Sequence, residues 1–159
     1  MRQYKYSILF FTTVIIIISC NNDNFYKEYK EEDVWRLPLI KPYVLKNALT
    51  PFRENNYGKG WGLMFKRKLL APNGLNIDGV NVFRINIKDS IIYGYGESYP
   101  GYPFIINLRD DSESIFDSNE EWCKKLKSLN VYCNETLDIL PLFENFKNRN
   151  ILPWHLNSN

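Results

Sequence analysis

Three groups of side chains in this sequence could do chemistry. The acids come first: Glu97 stands alone in segment 93–103, and Asp110-Asp111-Ser112-Glu113 follows shortly after. Two carboxylates facing each other across a cleft are what glycoside hydrolysis needs. A small hydrolase using Glu97 with an acid of 110–113 is therefore the enzymatic reading on offer. The same oxygens could attract calcium, but the EF-hand spacing, with its central glycine and terminal glutamate, is absent. A solvated acidic loop leading into a helix fits the run better. The second group is His155, the single histidine. No thiolates or carboxylates surround it at zinc-motif spacing, and nothing pairs it with a nucleophile. An exposed tail histidine is expected, with no metal. Gly58, Gly60 and Gly62 precede a strand, whereas a phosphate-cradling loop follows one and opens a helix. The balance predicts a protein that is not an enzyme and carries no cofactor.

The third group is Tyr93, Tyr95, Tyr99 and Tyr102, interleaved with glycine and proline and with Glu97 as the local charge. Stiff amphipathic side chains on such a loop bind partners or sugars by stacking and hydroxyl hydrogen bonds. The competing reading is a hairpin rim whose tyrosines partly cover the core.

The elements that must position these residues follow from periodicity. Trp61, Leu63 and Phe65 alternate with Gly62, Met64 and Lys66, as in a half-buried strand. Phe83, Ile85 and Ile87 alternate likewise, and the run 91–96 follows so closely that the two form a hairpin. A two-residue loop, Asp89-Ser90, pairs Ile87 with Ile92 and Ile85 with Gly94. A three-residue loop from Lys88 pairs Ile87 with Ile91 and Ile85 with Tyr93. The second gathers more apolar bulk on the Phe83 face and is preferred, because a slip of one residue inverts a strand's faces. Tyr102, Phe104, Ile106 and Leu108 form a further strand. Asp117 with Glu120, or Ser118 with Glu121, opens a helix with a capping box. Trp122, Leu126 and Leu129 are its apolar stripe. A second helix is expected from about Pro141 to Asn148, with Pro141 in the tolerated first turn. The prolines in segment 35–43 bar a helix and favour an extended edge piece. The fold class predicted is α+β: a small, mainly antiparallel sheet of about four strands, with one or two C-terminal helices packed on one face.

The N-terminus has a different character. Arg2 and Lys5 precede an apolar run, 8–18, which ends in Ser19-Cys20 and gives way to Asn21-Asn22-Asp23-Asn24. A basic start, a short apolar centre and a small residue before the cut make a secretory signal. Eleven apolar-run residues fall well short of the roughly 20 a spanning helix needs. Ile17-Ile18-Ser19-Cys20 resembles the lipobox of bacterial lipoproteins. The resemblance implies that Cys20 is lipidated and becomes the first residue of the processed chain. It further implies an anchor in a membrane of the cell envelope, with the outer membrane expected and its face left open. The organisation expected is a signal at 1–19, a lipidated cysteine and flexible tether at 20–33, and one globular domain at 34–159.

Processing also changes the charge. Arg2 and Lys5 are the two basic residues ahead of Cys20, so the twenty basic residues fall to eighteen and match the eighteen acidic ones. A neutral domain gives no support to nucleic-acid binding. Translocation takes the remaining pair, Cys123 and Cys133, into an oxidising compartment, where a disulfide is expected. From Cys123 the helix advances about 9 Å to Leu129, and residues 130–133 can run back over a similar distance. Taken together, these features predict a lipid-anchored envelope protein that acts by binding. Its expected partners are the membrane, through Cys20, and another protein, with no nucleic acid. An immunity-type protein that neutralises a toxin in the envelope is the alternative, by fold-level analogy.

Overall fold

A computed structural model describes residues 24–26, 30–31, 34–48, 61–71, 74, 76–97 and 101–155. The alternating segments become strands of one antiparallel sheet. These are β1 (Lys30–Glu31), β2 (Val34–Pro38), β3 (Val44–Ala48), β4 (Trp61–Leu70), β5 (Asn76–Lys88), β6 (Ile91–Glu97), β7 (Tyr102–Asn107) and β8 (Ser112–Ile115). They pair in chain order, each with the next, and a short β9 (Leu137–Asp138) adds to β5. Helices α1 (Asn119–Ser128) and α2 (Ile139–Arg149) follow β8, with β9 between them. The α+β class and the antiparallel sheet stand, but among the described residues the sheet has nine strands rather than about four. The additional strands are short or contain proline, and their partners supply what their own sequence does not advertise. Pro38 ends β2 and Pro42 sits in the turn before β3, a turn closed by Leu39 N–H to the Tyr43 carbonyl and Tyr43 N–H to the Ile40 carbonyl. The acidic loop expected at 110–113 is a turn only as far as Asp111. Ser112 and Glu113 already belong to β8. Two pieces of the stretch expected to be a tether are likewise built into the fold, namely a 3-10 turn at Asn24–Tyr26 and β1.

The β5–β6 hairpin takes the two-residue loop and not the preferred three-residue one. Ile87 faces Ile92 and Ile85 faces Gly94. Asp89 and Ser90 both have positive φ, 48° and 68°, the combination whose twist suits a two-residue hairpin. Counting apolar bulk on one face failed as a guide because both faces of β6 are buried. Ile92 enters one cluster, while Ile91 and Tyr93 enter another. The register also shifts between Val82 and Arg84. Phe83 is the extra residue, so it is expelled toward solvent, while Val80, Val82, Ile85 and Ile87 all reach the same cluster. Phe83 therefore does not share a face with Ile85 and Ile87 as the bare alternation predicted; a bulge changes which residues point inward.

The helices occupy opposite faces, which corrects the expectation of one. On the inner face Ile139, Leu142, Phe143 and Phe146 of α2 pack with Leu37, Leu45, Leu63, Ile85, Ile92 and Phe104. On the outer face Trp122 and Leu126 of α1 pack with Ile91, Tyr93 and Ile105. Trp122 is fully buried and its indole N–H donates to the Phe104 carbonyl at 3.0 Å. Burial of such a ring is worth about 3 kcal/mol and the donor is not left unpaired. Ser118 caps α1 by accepting from Glu121 N–H at 3.2 Å. At the other end Asn130, at φ 60°, turns the chain, and Val131 N–H returns to the Leu126 carbonyl while Asn130 N–H reaches that of Lys127. This is a Schellman closure. It directs the chain back along the helix and brings Cys133 beside Cys123.

Candidate functional site

The sheet curls until β8 meets β4. Between Met64 and Leu69 β4 loses its register with β5, which frees the backbone N–H groups of Lys66 and Arg67. Glu113 of β8 takes both. Its Oε1 accepts from Lys66 N–H at 2.8 Å and its Oε2 from Arg67 N–H at 2.9 Å. The Tyr43 hydroxyl also donates to Oε1. Tyr43 is only 4% exposed. Burial, reinforced by the hydrogen bond to Glu113, pushes its phenol well above the ordinary tyrosine range. Outside this knot, Lys66 Nζ lies 2.6 Å from Asp111 Oδ1 and 5.5 Å from the Tyr43 ring centre, and Arg67 approaches Asp111 at 3.4 Å. The Lys66 ammonium holds the Asp111 carboxyl below its usual range. Asp110 is lowered too, by Ser112, whose hydroxyl and N–H both donate to Oδ1, at 2.6 and 3.1 Å.

These geometries give the acids of 110–113 structural roles. Glu113 acts as a side-chain substitute for missing strand pairing, Asp110 shapes the β7–β8 turn, and Asp111 balances two cations. Sequence reasoning grouped Glu113 with the acidic loop and missed both its role in the closure and Tyr43 altogether. The two meet across 70 residues of chain, and no spacing in the sequence pairs them.

Next to this closure β3 and β4 diverge. They pair at Leu45–Leu63 and Lys46–Gly62, and beyond that point a groove of about 450 Å³ opens between Pro42, Tyr43 and Val44 on one side and Met64, Phe65 and Lys66 on the other. Gly62 presents no side chain at its end. Lys46 and Lys66 stand on the rim.

The tyrosine-rich segment is a pair of strands more than a loop. Tyr93 is fully buried against Trp122, and Tyr102 is buried in β7. Tyr95 is half-buried, with its ring 4.7 Å from Trp122 and 5.9 Å from Phe83. Burial pushes the Tyr93 phenol up to about 12, with Glu135 adding to it, and raises Tyr95 against a small opposing pull from Arg84. Two of the four tyrosines are thus core residues, because β6 is covered on both faces. Glu97 closes β6 opposite Asn81, and its side chain is outside the described residues, as is Tyr99. The Glu97 pairing with an acid of 110–113 therefore has no described geometry.

Cys123 and Cys133 lie at disulfide distance, with Cα atoms 5.2 Å apart. His155 ends a 3-10 turn, Pro153–His155, and its side chain is outside the described residues. So is Cys20, with all of 1–23. Among the described residues no group of three or more His, Cys, Asp or Glu could hold a metal ion, and no helix is long and apolar enough to cross a membrane. No family model, curated protein or solved structure matches the chain.

Proposed function

We propose that this is a lipid-anchored protein of the bacterial cell envelope, held at Cys20, that acts by binding. The observation that carries the reading is the approach of Cys123 to Cys133. A pair poised to bond suits an oxidising compartment, which is where the lipobox-like segment, at the other end of the chain, would send the protein. The bond would close α1 onto the segment after it and, for so short a loop, contribute about 2–3 kcal/mol.

The binding half of the reading rests on how the polar groups are used. Asp110, Asp111 and Glu113 are engaged in holding turns and strands, while Phe83 is exposed and Tyr95 half-buried beside it. The β6–β7 hairpin, with Tyr95 on its flank and Tyr99 between the two strands in the sequence, remains the proposed contact for a protein partner. Three measurements test the reading. Cells fed a labelled fatty acid should label the native chain and not Cys20→Ala. Non-reducing peptide mapping should find Cys123 joined to Cys133. A partner co-purified from detergent-solubilised membranes should be lost from a Tyr95→Ser, Tyr99→Ser double variant. Unlabelled native chain would remove the anchor, and free thiols the oxidising compartment. Undiminished capture by the double variant would remove the tyrosine contact.

A further inference from the structure

Arg84, Asn86 and Lys88 of β5 stand on the outer face, opposite Tyr95, Tyr93 and Ile91 of β6. All three reach for the same piece of chain. Arg84 Nη2 donates to the Thr136 carbonyl at 2.8 Å, and its Nε lies 3.3 Å from the Asp138 carboxylate. Asn86 Nδ2 donates to the Glu135 carbonyl at 2.7 Å. Lys88 Nζ lies 3.8 Å from the Glu135 carboxylate and 5.4 Å from the Tyr132 ring centre. Segment 132–138 contains a 3-10 turn, Cys133–Glu135, and then β9. It is laid as a strap along β5 and covers Tyr93 from the side opposite α1. Its two ends are fixed, because Val131 and Ile139 are both buried.

Between those ends the hold is weak. Thr136 is the one buried residue of the strap, and β9 pairs with β5 at only two positions. Exposed ion pairs contribute little, and a segment with few buried apolar contacts is the kind that opens locally. Beneath it the buried Tyr93 hydroxyl makes no hydrogen bond among the described residues, a cost that opening would relieve. What secures the strap is Cys133, whose Cα lies 5.2 Å from that of Cys123 on α1. Helix α1 does not lean on the strap. Its Ser118 cap, the Trp122 bond to the Phe104 carbonyl and the closure through Val131 all lie outside it. We infer that the Cys123–Cys133 pair is a redox latch, and that its reduction by a protein dithiol lets segment 132–138 lift from β5 and uncover Tyr93 beside Tyr95. One donor thiolate attacks a sulfur of the pair, forming a mixed disulfide and expelling the other sulfur as a thiolate. The donor's second thiolate then displaces the first cysteine. Cys123 and Cys133 end as thiols with two electrons and two protons gained, and the donor leaves as a disulfide. Lifting also frees Arg84, the cross-strand neighbour of Tyr95, from Thr136 and Asp138. The inference rests on the reading of a bonded pair and a tyrosine contact, and it adds how that contact is regulated.

The test uses the full chain as cells produce it, purified in detergent and divided in two. One half is oxidised with diamide and the other reduced with dithiothreitol. Hydrogen–deuterium exchange read by mass spectrometry should be at least about tenfold faster in segment 132–138 after reduction, as expected when a short disulfide loop is opened. In β7 (Tyr102–Asn107) it should change by less than about twofold. A Cys123→Ser, Cys133→Ser chain, which needs no reductant, should exchange as the reduced half does. Ultraviolet titration of that variant should show one phenol moved from about 12 toward the ordinary 10.0. Equal exchange in the two halves overturns the latch. So does exchange that quickens alike in segment 132–138 and in β7, since the bond would then hold the whole domain and no separate strap. Peptide mapping of the untreated chain scores the oxidising compartment separately. Free thiols there would sink that reading, while the comparison of the diamide and dithiothreitol halves would still report the strap.

Discussion

Removing the Glu113 carboxylate exposes how the sheet is closed. In Glu113→Ala three donors lose their acceptor at once: the Tyr43 hydroxyl and the N–H groups of Lys66 and Arg67. Their costs differ. Lys66 and Arg67 lie on an exposed part of β4, so water replaces Glu113 there and each bond is worth only about 0.5–1 kcal/mol. Tyr43 is buried, and its stranded hydroxyl costs about 1–3 kcal/mol. The total expected is about 3 kcal/mol. Glu113→Gln, which keeps one accepting oxygen, should cost about half as much. The informative variant is the double one. Tyr43→Phe alone should cost about 1 kcal/mol, yet added to Glu113→Ala it removes the stranded hydroxyl. The double variant should therefore be more stable than Glu113→Ala itself, by about 1 kcal/mol. Urea unfolding followed by tryptophan fluorescence reads all four proteins, and amide exchange at Lys66 and Arg67 should quicken only when Glu113 is lost. A Glu113→Ala cost below about 1 kcal/mol, or a double variant whose losses simply add, would refute the closure argument.

Three further outcomes are expected. Gly94→Ala should lose about 3 kcal/mol or more, because a Cβ there would meet the Arg84 carbonyl oxygen at 2.2 Å, and backbone cannot step aside as a side chain does; a thermal melt within a degree of the native chain would contradict it. Replacing Asp89-Ser90 by Asn-Gly should raise stability by about 1 kcal/mol, since both positions already hold positive φ; a loss of stability would mean that the turn is not the two-residue type. Raised phenol pKa values make the folded state hold protons that the unfolded state releases, so stability should be intact below the ordinary tyrosine value of 10.0 and fall as the pH climbs toward about 12, where Tyr93 titrates. The Tyr93→Phe variant should shed part of that alkaline loss, and ultraviolet titration of phenolate should show one late-titrating group fewer.

The local elements were legible because their signals are local. Ser118, Trp122, Leu126 and the run of lysines specify α1 within a dozen residues, and α2 declares itself by Leu142, Phe143 and Phe146. The strands from Trp61, Phe83 and Tyr102 are legible in the same way. Misreadings arose wherever the decision depended on the other side of the sheet. The β5–β6 register could not be chosen by apolar bulk, since α1 buries Ile91 and Tyr93 as thoroughly as the inner core buries Ile92. The bulge at Phe83 is invisible to alternation, because one extra residue leaves each half of the pattern intact. β3, β8 and β9 are strands because a neighbour supplies the other half of each ladder, and their own sequences are too short or too polar to say so.

The sequence by itself determined helix α1 with its N-cap, the body of α2 from Pro141 onward, the alternating strands, the charge balance after Cys20 and the pairing candidates among cysteines. All of these rest on near neighbours in the chain or on simple counting. Only the tertiary structure decided that the helices lie on opposite faces, that Tyr93 and Tyr102 are core, that Phe25 folds back over β2 and that Glu113 closes the sheet onto Tyr43. Those depend on contacts between residues 11 to 70 positions apart, and such contacts form only when burial of the whole core repays the entropy of bringing distant segments together.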